Sequence, residues 1–183
     1  MLVRIVPVGN PPSKILELIS AELEDLFKIK TRIMQKLPVP KETYSHLRRQ
    51  YDAEKILSII TKSSEAKFIE KSIPTLLVTD EDLYYGGLNF VFGLEDIETS
   101  SFIISLARLK PEFYDQRPNL ELLIDRTVKE SVHEIGHHLG LEHCHNRWCV
   151  MSFSPSVNDV DVKQKAFCND CKIKMITRGI SLD

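Results

Sequence analysis

Three histidines and a glutamate stand at spacings that suit a metal-assisted reaction. Residues 133–143 spell HEIGHHLGLEH. His133 and His137 are one helical turn apart, so both imidazoles leave the same helix face and can bind one ion. Gly140 permits the positive φ that ends a helix, and the turn can bring His143 back as a third ligand. Three neutral imidazoles leave a fourth position open, as in catalytic zinc sites.

Glu134 supplies the group that such a metal site needs for chemistry. It stands beside His133, can reach a water held by the ion, and can act as general base for hydrolysis. His138 points about 100° away from its neighbour around the helix, so we interpret it as a packing or supporting residue. The alternative is a helix with ordinary histidines, but five fixed positions of HExxHxxGxxH within eleven residues favour the metal site.

All four cysteines of the chain follow this motif as two pairs. Four residues separate Cys144 from Cys149, and Cys168 and Cys171 form a CxxC pair. Two such pairs are the ligand pattern of a closed tetrahedral zinc site, which is structural because every position is filled. Free buried thiols are one alternative; a redox dithiol is another, although CxxC usually needs a βαβ context for it. Because Cys144 adjoins His143, this zinc would also fix where that histidine points.

The motif combined with four cysteines and Met151 resembles the archaemetzincins, a family of metzincin-clan zinc metallopeptidases. Residues 127–171 carry the resemblance. It implies a zincin-like fold and peptide hydrolysis with two zinc ions per chain, one catalytic and one structural. It also implies a methionine turn, here Met151-Ser152-Phe153, beneath the histidines as an apolar floor. Met151 and Gly140 are therefore assigned structural support.

The resemblance further implies an antiparallel edge strand that lies over the active-site helix and pairs with extended substrate. It places this substrate-binding strand at residues 88–92, which are Leu88, Asn89, Phe90, Val91 and Phe92. An unpaired sheet edge offers backbone donors and acceptors to a peptide, which agrees with that role. The protein core is the alternative position for Phe90 and Phe92.

Hydrophobic periodicity predicts an α/β (α+β) fold, built on a twisted mixed sheet with the active-site helix against it. The apolar runs predict strands at residues 2–8, 29–37, 73–79 and 101–109. Helical spacing predicts helices at residues 14–27, 53–62 and 120–139, and two short helices at residues 159–166 and 171–177.

The length of 183 residues suits one domain, with two unequal parts. Residues 1–140 would hold the sheet and the active-site helix. Residues 141–183 contain few large apolar side chains, so burial alone is too small to hold them together. We therefore expect a small C-terminal subdomain that depends on the four-cysteine zinc site.

Composition limits the classes of partner and the cellular compartment that we expect for the chain. Lys and Arg number 24 against 26 Asp and Glu, a net charge of −2 that argues against nucleic acid. No apolar run reaches the ~18 residues of a membrane span, and the first residues do not resemble a signal peptide. Four clustered cysteines in a cytoplasmic protein favour metal over disulfides. We expect a cytoplasmic monomer that acts on a peptide or protein substrate.

The predicted function is zinc-dependent peptide hydrolysis. Animal members of the resembling family are similar to aminopeptidases, which need an anion for the free amine of the substrate. Glu95, Asp96 and Glu98, after the predicted edge strand, are candidates for that anion, and a solvated acidic loop is the alternative. The alternative function is a non-catalytic zinc-binding module for protein interactions. Glu134 argues against it, because zinc binding does not require this carboxylate.

Overall fold

The computed structural model describes residues 1–63, 66, 67, 69 and 72–180. Its strands are β1 (Leu2–Val8), β2 (Lys30–Ile33), β3 (Tyr44–Ser45), β4 (Gln50–Asp52), β5 (Thr75–Thr79), β6 (Leu83–Tyr84), β7 (Gly93–Asp96) and β8 (Ser101–Ser105). Its helices are α1 (Ser13–Phe27), α2 (Ala53–Lys62), α3 (Leu120–His138), α4 (Val157–Val162) and α5 (Asn169–Thr177).

A five-stranded mixed sheet in the order β2-β1-β5-β8-β7 forms the centre of the fold. The four strands from β2 to β8 run parallel, and β7 pairs antiparallel with β8 at one edge. A smaller sheet has the order β3-β4-β6. The mixed sheet with an antiparallel edge strand agrees with the predicted fold class.

Both faces of the central strands β1, β5 and β8 are buried, because apolar residues occupy successive positions there. On one face, Leu76 and Val78 of β5 belong to a core cluster with residues of α1 and α3. On the other face, Leu77 belongs to a second cluster with residues of α2. Continuous apolar runs are typical of parallel strands covered on both sides. Helix α3 is therefore held against the sheet along the side that faces β7 and β8.

The ends of α3 follow from local chemistry. The Asn119 side chain accepts a hydrogen bond from the Leu122 N–H at 3.0 Å and caps the start. At the other end, Gly140 has a φ of 80°, which is costly for residues with a Cβ. The Gly140 N–H donates to the His137 carbonyl at 2.7 Å. The helix thus ends at His138, close to Gly140 as predicted.

The predicted edge strand at residues 88–92 is wrong. These residues have no regular strand pairing, and the antiparallel edge strand is β7, Gly93–Asp96. The reason is steric: Gly93 has no side chain and can approach α3 closely, whereas Phe90 and Phe92 pack their rings against each other at 5.1 Å.

Other predicted elements differ mainly in length. Strand β2 ends at Ile33, after which Leu37 makes a single bridge to Val8. Strand β5 starts directly after Pro74. Strand β8 ends at Ser105 and is followed by a short 3-10 helix, Ala107–Leu109. Within the described residues, no helix has the length and apolarity of a membrane span.

Candidate active site

The fold brings the three histidines of the motif to one point. The Nε2 atoms of His133 and His137 lie 3.1 Å apart on one side of α3. The turn at Gly140 returns the chain, so that the His143 ring centre lies 5.3 Å from that of His133 and 4.9 Å from that of His137. One ring nitrogen of each histidine lies within 4.8 Å of the other two. Such a cluster can hold one metal ion.

Backbone carbonyls fix the orientation of the two helical histidines. The Nδ1 atom of His133 lies 2.8 Å from the Val150 carbonyl oxygen, and that of His137 lies 2.8 Å from the Leu141 carbonyl oxygen. A carbonyl only accepts, so each Nδ1 carries the hydrogen and each neutral ring keeps its Nε2 lone pair. The lone pairs therefore face the common point, which is the usual arrangement of metal-binding histidines.

Burial favours the neutral form of these rings. It lowers the pKa of His133 well below its ordinary value, with the Lys163 ammonium as the next cause. Burial also lowers the pKa of His137 and of the more exposed His143. Neutral imidazole is the form that binds metal, so the environment prepares all three rings as ligands.

Glu134 lies buried between α3 and the edge strand. Its carboxyl group lies against the backbone of Gly93, where a Cβ would overlap Oε1 and come within 3.0 Å of Cδ. Burial, followed by the carboxylates of Glu130 and Glu95, raises the pKa of Glu134 well above its ordinary value. A carboxyl group that binds a proton readily is suited to exchange one with a reacting group.

Replacing Gly93 by alanine should displace the Glu134 carboxyl group. We expect kcat for peptide hydrolysis to fall by roughly 100-fold, because an ångström-scale misplacement of a reacting group is that costly. Zinc content should not change, since the three atoms nearest to the new methyl group all belong to Glu134. The matched control is Gly87→Ala, whose Cβ has open space around it. Equal kcat values for the two variants would contradict this position of Glu134.

Glu130 and Lys163 form a buried ion pair, and neither residue is among the predicted site residues. The Lys163 Nζ lies 2.7 Å from Glu130 Oε1, and the two side chains are 0% and 5% exposed. Glu130 precedes Glu134 by four residues, so helical spacing could have placed it on the same face. Nothing in the sequence connects Lys163 to the site, because it joins from the end of α4. The pair leaves Glu130 balanced by a cation of its own.

The four cysteines converge in a second cluster beside α5. The Sγ atoms of Cys144 and Cys168 lie 3.7 Å apart, as do those of Cys149 and Cys171, and all four lie within 4.8 Å of one another. No disulfide joins them. The Cys168 N–H donates to Cys149 Sγ at 3.3 Å. This arrangement can hold a second metal ion.

Met151 lies between the two clusters. Its thioether contacts Gly136 on α3, where an added Cβ would overlap Sδ and lie 3.0 Å from Cε. Its carbonyl accepts a hydrogen bond from the Cys144 N–H at 2.8 Å. Met151 is fully buried. It therefore packs against the helix of the first cluster and is tied by its backbone to the second.

A cavity of about 510 Å³ opens onto the histidines and Glu134. Its walls include Glu95 of β7 and Phe153, together with all five residues of the misassigned strand, Leu88, Asn89, Phe90, Val91 and Phe92. The wrong secondary structure thus does not remove these residues from the neighbourhood of the histidines. A sheet with an antiparallel edge strand beside the HExxHxxGxxH helix, together with this cavity, defines a zinc metallopeptidase.

Comparisons with known proteins agree with this class. The sequence model of peptidase family M54 matches residues 18–177. An archaemetzincin from Methanocaldococcus jannaschii is 40% identical to this chain, in an alignment that covers 98% of this chain and 96% of the relative. The crystal structure of the Archaeoglobus fulgidus archaemetzincin in complex with malonate has a TM-score of 0.80 and 37% identity, covering 95% of this chain and 99% of its own.

A crystal structure of a zinc-dependent peptidase from Methanocorpusculum labreanum has a TM-score of 0.84 and 32% identity. It covers 94% of this chain, and this chain covers 99% of it. These matches extend over nearly the whole chain and not only over the motif. The chain therefore belongs to peptidase family M54, the archaemetzincins.

Proposed function

We propose that this chain hydrolyses peptide bonds at the three-histidine cluster, with His133, His137 and His143 as zinc ligands and Glu134 as general base. The observation that carries the proposal is the orientation of the rings. Two backbone carbonyls occupy the Nδ1 atoms of His133 and His137, so their Nε2 atoms face the cavity in which the Glu134 carboxyl group lies.

The distances fit a zinc ion. Nitrogen ligands about 2.0–2.1 Å from a tetrahedral zinc are separated by about 3.3 Å. The 3.1 Å between the Nε2 atoms of His133 and His137 is close to that value. Zinc bound there would lower the pKa of a water and polarise the peptide carbonyl. His143 is exposed, which leaves room for the water and the peptide carbonyl to enter.

Glu134 moves the proton. Its carboxylate accepts a proton from the attacking water and later donates it to the amine that leaves. The raised pKa supports both transfers, because a carboxyl group with a very low pKa would hold the proton too weakly to deliver it. Gly93 supports this role by leaving space for the carboxyl group beside the edge strand.

A second zinc is proposed at Cys144, Cys149, Cys168 and Cys171. Sulfur ligands about 2.3 Å from a tetrahedral zinc are separated by about 3.8 Å. The two 3.7 Å separations match that value and are far too long for disulfide bonds. Four thiolates fill every coordination position, so this zinc would be structural. Its place in the chain would hold His143, the residue before Cys144, in position.

The substrate is proposed to lie along β7. Among the described residues this strand ends the sheet order, so its outer edge can pair with an extended peptide. Residues 88–92 form a neighbouring wall of the cavity, in which Leu88 and Phe90 offer apolar surface. We further propose that the enzyme removes N-terminal residues, as an aminopeptidase does. The cavity also contains Glu95, a carboxylate without an ion-pairing lysine or arginine among the described residues.

The charge and the cysteines of the chain bear on its substrate and its compartment. A nearly balanced charge supports a peptide substrate and not nucleic acid. Four cysteines in a metal-binding arrangement support a reducing compartment such as the cytoplasm. We propose that the chain works there as a monomer.

The test is an unbiased peptide library incubated with the purified protein, with products identified by mass spectrometry. The zinc-loaded protein should carry two zinc ions and cleave library members. A chelator should remove the histidine-bound zinc first, because that site is open, and stop cleavage while the cysteine-bound zinc remains. Peptide binding without any cleavage would instead identify a non-catalytic module. Simultaneous loss of both ions would contradict the two different sites.

A further inference from the structure

Glu95 lines the cavity beside the histidines, and its carboxylate is largely covered. Its side chain is only 9% exposed. The Oε1 atom is buried and has no hydrogen-bond partner within the described residues. Burying a carboxylate without a partner is costly, so such a group in a cavity indicates that a partner arrives from outside.

The strand aims Glu95 toward the reacting groups. Successive side chains of a strand point to opposite faces, so Gly93 and Glu95 share one face of β7. Gly93 contacts Glu134 on α3, and Glu95 lies opposite Phe102 of β8, next to His138 at the end of the same helix. The carboxyl groups of Glu95 and Glu134 therefore line one cavity.

No cationic side chain of the described residues supplies the missing partner. The nearest basic group is Nδ1 of His138, and its 4.0 Å distance from Glu95 Oε1 is beyond hydrogen-bonding reach. On α3, Glu134 is an acid and Glu130 already holds the Lys163 ammonium at 2.7 Å. On β7 itself, the neighbour is Asp96. Burial and this aspartate raise the pKa of Glu95 to about 7, which a cationic partner would reverse.

We propose that Glu95 is the subsite for an ammonium group of the substrate. The inference rests on the proposed peptidase function and names what that site recognises. An ammonium would donate a charge-assisted hydrogen bond to the Glu95 carboxylate inside the cavity, where such bonds are strong. Two sources have this chemistry, the α-amino group of a peptide and a basic side chain next to the cleaved bond.

The other two acids of this segment do not have these properties. Asp96 accepts hydrogen bonds from the Glu98 N–H at 3.0 Å and from the Thr99 hydroxyl at 2.8 Å, and so caps the turn after β7. Glu98 is exposed. The alternative of a solvated acidic loop fits Glu98 but not Glu95, which is part of a strand and has a side chain that is largely covered.

Binding of small probes tests the subsite without turnover. On a zinc-loaded Glu134→Ala background, three probes are titrated by NMR: leucinamide has only an α-ammonium, N-acetyl-lysinamide only a side-chain ammonium, and N-acetyl-leucinamide neither. The second change is Glu95→Gln, and the control is Glu98→Gln, which removes the same charge from an exposed position. We expect Glu95→Gln to weaken one of the cationic probes by about 10- to 100-fold and to leave N-acetyl-leucinamide unchanged.

Each outcome has a distinct meaning. A loss confined to leucinamide identifies the α-amino group, and a loss confined to N-acetyl-lysinamide identifies a basic side chain. The unchanged neutral probe shows that the cavity is still folded. Equal binding of all three probes, or cationic binding that does not respond to Glu95→Gln, would overturn the subsite. Failure of the peptidase function itself would be seen separately, as absence of cleavage by the parent protein with both zinc ions bound.

Discussion

Replacing Glu134 by alanine should lower the rate of peptide hydrolysis by about 10²- to 10⁴-fold, the usual contribution of a positioned acid or base. The zinc content should equal that of the parent protein. The physical reason is a division of roles within one helix. Glu134 is assigned the proton and no metal bond, whereas the Nε2 atoms of His133 and His137 face the common point.

The control for this variant is Glu121→Ala, which removes an exposed carboxylate from the same helix. It should leave both rate and zinc content unchanged. The Glu134 variant also loses a buried acid with an unfavourable environment, since burial raises its pKa. Its thermal stability should therefore not fall. A Glu134→Ala protein that loses the histidine-bound zinc would contradict the division of roles.

Replacing Cys171 by alanine should remove the second zinc and loosen the part of the chain that it joins. Cys171 Sγ lies 3.7 Å from that of Cys149, at a buried end of the cluster. An alanine leaves three thiolates and an open position, which a structural zinc tolerates poorly. The neighbour of Cys144 is His143, so we expect activity to fall by about 10- to 100-fold through this ligand.

The measurement combines zinc analysis with near-ultraviolet circular dichroism. Trp148 is the only tryptophan of the chain and precedes Cys149, so its signal reports on this region. The signal should weaken in Cys171→Ala and stay unchanged in Lys172→Ala, an exposed position on the same helix. Retention of two zinc ions by the cysteine variant would show that Cys171 is not a ligand.

The sequence carried enough information for α3 and for the grouping of candidate ligands. Their positions depend on local rules, namely the helical repeat of 3.6 residues and the positive φ at Gly140. A helix of this kind places His133 and His137 together whatever surrounds it. The roles of these residues, and the division of the chain at residue 140, stay predictions.

The edge strand could not be located in the same way, because strand pairing depends on distant residues. Residues 88–92 are apolar and aromatic, which favours a strand by composition. The segment that pairs with β8 instead starts at Gly93. Only a residue without a side chain fits there, because the Glu134 carboxyl group lies against it. Glu95 and Asp96 belong to the same strand, but acidic residues are uncommon in strands, so their composition favours a loop. The buried pair of Glu130 and Lys163 was likewise hidden, since it joins residues far apart in the chain.

The most direct measurement of the central claim is zinc content together with cleavage rate, on one preparation each of the parent protein, Glu134→Ala and His137→Ala. We expect two zinc ions and cleavage for the parent. For Glu134→Ala we expect two ions with a rate at least about 100-fold lower. For His137→Ala we expect one ion, held by the cysteines, and no cleavage. Glu134→Ala cleaving as fast as the parent, or His137→Ala keeping both ions, would contradict the assigned roles.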